Sequence, residues 1–380
     1  MLAVAAYWAV RLAWADHLSA GPRVEDRRRA VLLAPLDATF YSRLAEKLGE
    51  EGGNPLPGLE AAARLDPDNP EWRTRLGQQA ELAGDLGIAE GSLAAAARLS
   101  RQYQPKYLLA GYYLRRGNAD LCIRWSQAAL AVAPGDVTPV LNLLANLWDG
   151  QTMAADGIRE PRTVARQILT FLARRGQTAA AGSLAQHLAE TATDEDLPVL
   201  LDYTNQLLDQ GHGLDAARIW NLLCARRRLP YSPLDVAGGR SLTNADFRRF
   251  PLGSGFDWRV ENGSGVHVGG FDGALRATFS GDQADDCVLM WQYVLLEPGG
   301  RYRLRQEVRT DDPASAAGLR WRLFYRRNGP GWDALDSDLG QGFRAPGEVG
   351  KLTLMYRRAS GSTRLTGDVS LTGLRLEREP

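Results

Sequence analysis

Apolar and polar positions follow two different periods along this chain. Up to about residue 230, apolar residues recur at helical spacing, as in 88-IAEGSLAAAARLS, and predict amphipathic helices. Beyond about residue 241 they alternate with polar ones in short runs: 274-ALRATFS, 287-CVLMWQYVLL, 301-RYRLRQEVRT, 318-GLRWRLFYRR, 351-KLTLMYRR and 363-TRLTGDVSLTGLRLER. Such runs, separated by Gly and Pro, predict strands and a β-sandwich. The Pro/Gly-rich stretch 229-LPYSPLDVAGGR stands between the two regimes, and we expect a linker over 231–240.

The helical part repeats itself. LLAP at 32–35, RLDP at 64–67, RLSR at 98–101 and AVAP at 131–134 end at intervals of 32, 34 and 33 residues. Ala45, Gly77, Gly111 and Leu144 follow ten residues after each phrase, and Gly52, Gly84, Gly117 and Gly150 mark expected turns. Each unit reads as helix, glycine turn, helix and a proline-type stop at Pro35, Pro67 or Pro134, with Arg101 departing from the pattern. Glycine supplies the left-handed cap, proline cannot continue a helix, and a small residue lets two helices approach. One such pair cannot bury its own apolar stripe, so neighbours must stack. From 158 to 230 the period weakens, with glycine turns at Gly176 and at Gly211 and Gly213.

These spacings and residue types resemble the tetratricopeptide repeat (TPR) family. The resemblance covers about 30–150 well and implies an α-solenoid that binds protein partners. It implies that the first helix of each repeat lines a peptide groove, which selects Gln78, Glu81, Tyr112, Arg115, Arg116 and Trp148. The competing reading of these residues is an ordinary solvated face.

The C-terminal pattern, with Asn244 and Phe247 in LTNADF, Gln292, Pro298, Gly299 and Tyr302 in a turn phrase, and Gly367 to Leu376 in a closing strand, is similar to galactose-binding-like jelly rolls. Many carbohydrate-binding modules belong to that group. The resemblance implies a fold and a glycan as ligand class, and it allows a structural calcium for which no ligand set can be assigned. Trp258 and Trp332 fall in Gly-rich loop segments and are glycan-stacking candidates, whereas Trp291 and Trp321 fall in strands and are expected in the core. Alternation puts Tyr302, Leu304, Gln306 and Val308 on one face and Arg303 and Arg305 on the other, with Arg320 and Arg322 facing outward likewise. Those four arginines are candidates for carboxylates of an acidic glycan. The run CVLMWQYVLL, apolar on both faces, is expected in the middle of the sandwich.

The expected fold class is thus multidomain α plus β: a TPR-like α-solenoid followed by an antiparallel β-sandwich (jelly roll). The expected divisions are 1–20 (an apolar segment), 21–150 (regular repeats), 151–230 (degenerate repeats), 231–240 (linker) and 241–380 (sandwich).

Composition narrows the function. The net charge is zero, with 45 basic and 45 acidic residues, which argues against nucleic-acid binding by bulk electrostatics. Cys122, Cys224 and Cys287 are too far apart for a metal motif and are read as free thiols, and the four histidines form no ligand cluster. No HExxH, GxSxG or GxxxxGK[ST] motif is present, so an enzyme is not expected. The enzymatic alternative, a glycan hydrolase, would have to use the loop clusters Asp282, Asp285 and Asp286 or Asp333, Asp336 and Asp338. The start MLAVAAYWAVRLAWADH leaves three readings open: the tail of a membrane anchor beginning upstream, a marginal anchor as it stands, or a first amphipathic helix. Together these features point to a cell-envelope scaffold facing the periplasm or exterior, in bacterial exopolysaccharide assembly or export. The alternative is a cytoplasmic protein–protein adaptor with a structural sandwich.

Overall fold

A computed structural model describes residues 2–310, 318–326, 331–335 and 337–379. Its elements run helix first, strand second, and the chain divides into two compact units, 1–167 and 168–380.

The first unit consists of helical hairpins. Its helices are α1 (Leu2–Ser19), α2 (Val24–Leu33), α3 (Ala38–Glu50), α4 (Leu56–Leu65), α5 (Pro70–Ala83), α6 (Leu86–Leu99), α7 (Tyr103–Arg115), α8 (Ala119–Leu130), α9 (Thr138–Leu144) and α10 (Gly150–Gly157). Side chains start several of them. Asp37, Asn69, Asp85 and Asn118 each accept a backbone N–H from the first turn of α3, α5, α6 and α8. Gly84 closes α5 in the left-handed conformation at φ 82°. The small positions have a steric reason. A Cβ on Gly77 would lie 2.6 Å from Leu93 Cγ, and one on Gly58 would lie 2.9 Å from the Cβ of Ala45. Two expectations fail here. A Cβ on Gly111 would meet only the tip of Arg115, so close helix packing does not explain that glycine. Gly150 is not a turn; it opens α10, whose cap is Asp149.

The second unit holds α12 (Thr178–Glu190), α13 (Leu197–Gln210) and α14 (Gly213–Ala225), with α11 (Arg162–Arg174) crossing the division. The weak-period helices keep the repeat's internal bonding. In the first unit the Tyr112 hydroxyl donates to Leu86 O, at the first residue of α6. In the second the Tyr203 hydroxyl donates to Thr178 O, at the first residue of α12. The tyrosine and its carbonyl are 26 residues apart in one case and 25 in the other. Gly211 ends α13 at φ 86°, as Gly84 ends α5.

Ten strands among the described residues make two antiparallel sheets. They are β1 (Arg259–Val260), β2 (Val266–Gly269), β3 (Leu275–Ser280), β4 (Asp286–Leu295), β5 (Arg301–Thr310), β6 (Leu319–Tyr325), β7 (Asp333–Ala334), β8 (Phe343–Arg344), β9 (Val349–Arg357) and β10 (Thr366–Glu379). The sheet orders are β1-β4-β9-β6-β7 and β2-β3-β10-β5-β8, and one apolar core, including Phe279, Met290, Val294, Leu352 and Leu371, lies between them. The LTNADF opening is part of this core. Phe247 is fully buried against Trp258, and Gln292 and Thr243 exchange hydrogen bonds of 3.2 and 3.3 Å.

Strand β4 is apolar on both faces for a reason the strand pattern did not contain. Met290, Gln292 and Val294 face the sandwich core, while Tyr293 and Leu295 face helices α13 and α14. The Tyr293 hydroxyl donates to Asp209 on α13, and the N–H of Leu214 on α14 donates to Glu348. A Cβ on Gly213 would lie 2.5 Å from Val349 and 2.7 Å from Leu295. Trp220 of α14, fully buried, stacks on Tyr231 and meets Phe256 edge-on at 5.9 Å. The last helical repeat and the sandwich are therefore packed as one body.

Candidate functional sites

In residues 1–167 the first helices of successive hairpins lie side by side. Arg75 on α5 donates to Ser42 on α3, and Arg115 on α7 clasps Glu81 on α5 with bonds of 2.8 and 2.7 Å. Glu81 and Arg115 hold equivalent positions one repeat apart, and Arg75 stands one place past the equivalent of Ser42. The hydrogen bonds from Arg115 hold the Glu81 carboxyl below its ordinary range, against the opposing effect of its partial burial. Gln78 and Arg116 are exposed on this face, and Arg116 lies 6.0 Å over the Tyr112 ring. Tyr112 itself is not a groove residue. It is 2% exposed, packed among Leu93, Leu109 and Cys122, and its hydroxyl is used inside the fold. Trp148 is half-buried in the turn beyond α9, because that helix ends at Leu144.

In the sandwich the glycan candidates separate. Trp258 is 0% exposed, its indole N–H donates to Asn244 O, and it offers no surface to a ligand. Its loop folds inward because Trp258 fills the core beside Phe247 and Trp321. Trp321 packs on that core as expected, and its indole N–H bonds Gln306 at 2.5 Å. Trp291 does not sit in the core. It lies half-buried on the outer face of its sheet.

The four candidate arginines belong to two different sheets. Arg303 and Arg305 on β5 are neutralised by the neighbouring β10: Arg303 pairs with Glu379 at 2.8 Å and Arg305 with Glu377 at 2.6 Å. Arg320 and Arg322 on β6 have no carboxylate partner among the described residues. A cleft of about 960 Å³ opens between β5 and β6, lined by Arg305, Gln306, Arg320, Trp321, Arg322 and Asp338 among others. Beyond Leu304, strand β5 leaves the core, which exposes Gln306 and Val308 against the expectation that they face inward.

On the outer face of the other sheet, register places Arg259 beside Trp291, Trp291 beside Thr353 and Thr353 beside Arg322. In the next row Lys351 stands between Tyr293 and Phe324. The Lys351 ammonium lies 4.1 Å from the Trp291 ring centroid, 4.9 Å from Trp332 and 5.5 Å from Tyr293. Arg259 lies 4.4 Å over Trp291, and Arg326 lies 5.5 Å over Trp332. Burial lowers the Lys351 pKa, as do Arg259 and Arg326, while Asp209 opposes the shift. Trp332 is thus half-buried in a cationic cluster rather than open on a loop. Lys351, Trp291 and Arg259 were not among the sequence candidates; only their cross-strand register identifies them.

The acidic loops are largely committed to internal contacts. Asp285 binds Arg358 and Arg364, whose hydrogen bonds hold its carboxyl below the ordinary range, and Asp286 binds Arg357. Asp282 bonds Ser280, and Asp338 accepts the N–H of Gly340. Asp333 is exposed in β7, and Asp336 lies outside the described residues. Among the described residues no group of three or more His, Cys, Asp or Glu could hold a metal ion. The three cysteines are free, with Cys122 and Cys224 buried and Cys287 half-buried.

No family model matches the chain, and no curated protein matches it. Among solved structures it is similar to YrrB, a TPR protein with an unusual peptide-binding site, at 15% identity and a TM-score of 0.26, over 55% of this chain and 100% of that one. It is also similar to pilF of Pseudomonas aeruginosa at 15% identity and a TM-score of 0.28, over 57% of this chain and 95% of that one. At these TM-scores the likeness carries no weight in the assignment, and the helical repeat rests on the chain's own period, turns and cross-repeat bonds.

Proposed function

We propose that the protein is a non-enzymatic scaffold whose helical repeats hold an extended segment of a protein partner and whose sandwich contacts a glycan. The observation that carries the protein-partner part is the row of first helices α3, α5 and α7, tied to one another by Arg75–Ser42 and Arg115–Glu81. A row fixed in this way can present side chains from successive helices, the exposed Gln78 and Arg116 among them, to an extended segment. The TPR resemblance agrees with this reading. The test is site-specific photocross-linking in native cells from position 116, the residue that caps α7, and, as control, from the exposed Arg124 on α8. A discrete adduct from 116 alone is expected. Equal adducts from both positions, or none, overturn the reading.

The glycan part rests on the cleft between β5 and β6 and on the galactose-binding-like resemblance. We place the protein in the cell envelope, in exopolysaccharide assembly or export. The exposed apolar residues Val4, Tyr7, Trp8, Val10, Leu12 and Trp14 of α1 support contact with a membrane surface. No helix among the described residues is long and apolar enough to cross a membrane. Flotation of the full chain with vesicles, lost on Trp8→Ser with Val10→Ser, is the expected result; retention in the pellet overturns the membrane contact.

A second reading is a cytoplasmic adaptor in which the sandwich only caps the helices. The packing of Trp220 and Gly213 against the sandwich favours it. Capping, however, occupies the β4 side of the outer face and leaves Arg320 and Arg322 on β6 without carboxylates. A glycan hydrolase is the weaker alternative. Substituting Asp285 and Asp336 without loss of any hydrolysis detected would eliminate it.

A further inference from the structure

The outer face of β9 and β6 combines cations that have no anion with aromatic rings that hold them in place. Lys351 has neither a carboxylate partner nor a hydrogen-bond acceptor for its ammonium among the described residues. A half-buried ammonium carries three donors, and leaving them unmade is costly unless a ligand or water takes them. Trp291, Tyr293 and Trp332 supply cation–π contact but accept no conventional hydrogen bond from it. The neighbouring anions are engaged elsewhere: Asp209 accepts the Tyr293 hydroxyl, and Glu261 accepts the Trp291 indole N–H at 3.2 Å. Arg259 is tied to Asn205, Gly255 and Asp257 and stays beside Trp291.

We propose that Lys351, with Arg259 beside it and Arg322 and Arg320 on the next strand, binds carboxylates of an acidic polysaccharide laid across this face. The proposal rests on the glycan reading of the sandwich and extends it from Arg320 and Arg322, which also border the cleft, across the outer face to Lys351 and Arg259, which do not. Three features select the ligand. Arg320 and Arg322 are two residues apart on one strand face, a step of roughly 7 Å, so they can meet successive charges of a regular polyanion. Strand β9 is paired on both sides, by β4 and β6, so its backbone has no free edge for an added peptide strand. Recognition here must run through side chains, and the side chains on offer are cations and rings. On the opposite sheet Glu379 and Glu377 neutralise Arg303 and Arg305, the counterparts of Arg320 and Arg322 in the strand pattern.

The test uses the full chain in native affinity gels containing polygalacturonate, dextran or no polymer, with poly-glutamate as competitor. Lys351→Met keeps chain length and ring packing but removes the charge; Arg322→Gln is the second variant and Gln306→Ala reports on the cleft. Near-UV circular dichroism confirms that each variant is folded. Wild type is expected to be retarded by polygalacturonate and not by dextran, with affinity falling about tenfold in Lys351→Met and in Arg322→Gln. Wild-type affinity in Lys351→Met, with loss in Gln306→Ala and whatever Arg322→Gln does, overturns the site at Lys351 and leaves the glycan reading standing. No retardation of wild type by either polymer overturns the glycan reading and the site with it. Competition by poly-glutamate as strong as by free polygalacturonate overturns the polysaccharide assignment in favour of an acidic protein segment.

Discussion

The join between the last helical repeat and the sandwich can be tested with one methyl group. Gly255 has φ 57°, and a Cβ there would lie 2.3 Å from Cζ3 and 2.6 Å from Cε3 of the buried Trp220. Holding alanine in the left-handed region costs about 1 kcal/mol. Forcing a methyl into a packed ring adds about 2 kcal/mol, since Trp220 is wedged between Tyr231 and Phe256 and cannot step aside. Gly255→Ala should therefore destabilise by about 3 kcal/mol, which lowers the midpoint of a unit this size by roughly 6–12 °C. Gly253→Ala is the matched control: its φ is 69°, but nothing lies within 4 Å of a Cβ there, so only the backbone cost of about 1 kcal/mol remains. The assay is thermal unfolding of both variants followed by tryptophan fluorescence, to which Trp220 contributes among the chain's ten tryptophans. Equal shifts in the two variants would refute the packing described for this join, because only Gly255 has a ring to displace.

Gly77→Ala should cost about 1–3 kcal/mol because its Cβ would press on Leu93, whereas Gly91→Ala, with open space around it in α6, should stabilise by about 0.5–1 kcal/mol; denaturant midpoints of both decide. Arg115→Ala should cost about 1 kcal/mol or less, since Arg115 is over half exposed, and the loss should shrink in high salt. Burial raises the pKa of Asp257 even though Tyr231 and Leu252 donate to its carboxylate, so the folded state holds a proton that the unfolded state has released. Its contribution to stability therefore falls as pH rises from about 4 through the folded pKa. The midpoint of Asp257→Asn minus that of wild type should grow over that window; a difference that does not change with pH would contradict the assignment.

Local regularity made much of the fold legible. Turn glycines, capping residues and the Pro-type stops each act within a few neighbours, so Gly84, Asn69 and Pro67 can be placed without knowing the tertiary fold. The alternation in β5 and β6 was equally visible and sorted Tyr302 and Leu323 correctly from Arg303 and Arg322. Where the sequence reading failed, the deciding partner was far along the chain. Tyr112 looked like a groove residue at its helical position, yet its hydroxyl is consumed by Leu86, 26 residues away. Trp258 sat in a glycine-rich segment that suggested a platform, yet that segment folds inward to bury the indole.

The arginine faces show why register matters more than composition for the site. Period-two alternation establishes that Arg303, Arg305, Arg320 and Arg322 point away from the core, but it treats all four alike. Which charge each meets depends on the strand that pairs with it. Strand β5 pairs with β10, which brings Glu377 and Glu379 across to its arginines. Strand β6 pairs with β9, which brings Thr353 and Lys351 instead. Arg303 and Arg305 are therefore neutralised within their sheet, whereas Arg322 and Lys351 meet no carboxylate among the described residues, and Lys351 lies beside Trp291 and Trp332. Nothing in the arginine-rich runs distinguishes the two outcomes, because the neutralising glutamates lie about 70 residues away in sequence. Moving a carboxylate onto β9 with Met355→Glu, at a half-buried position paired with Arg320, should give β6 the kind of partner that Glu379 and Glu377 give Arg303 and Arg305. It should weaken polyanion binding at Arg320, Arg322 and Lys351, read in the same affinity gels.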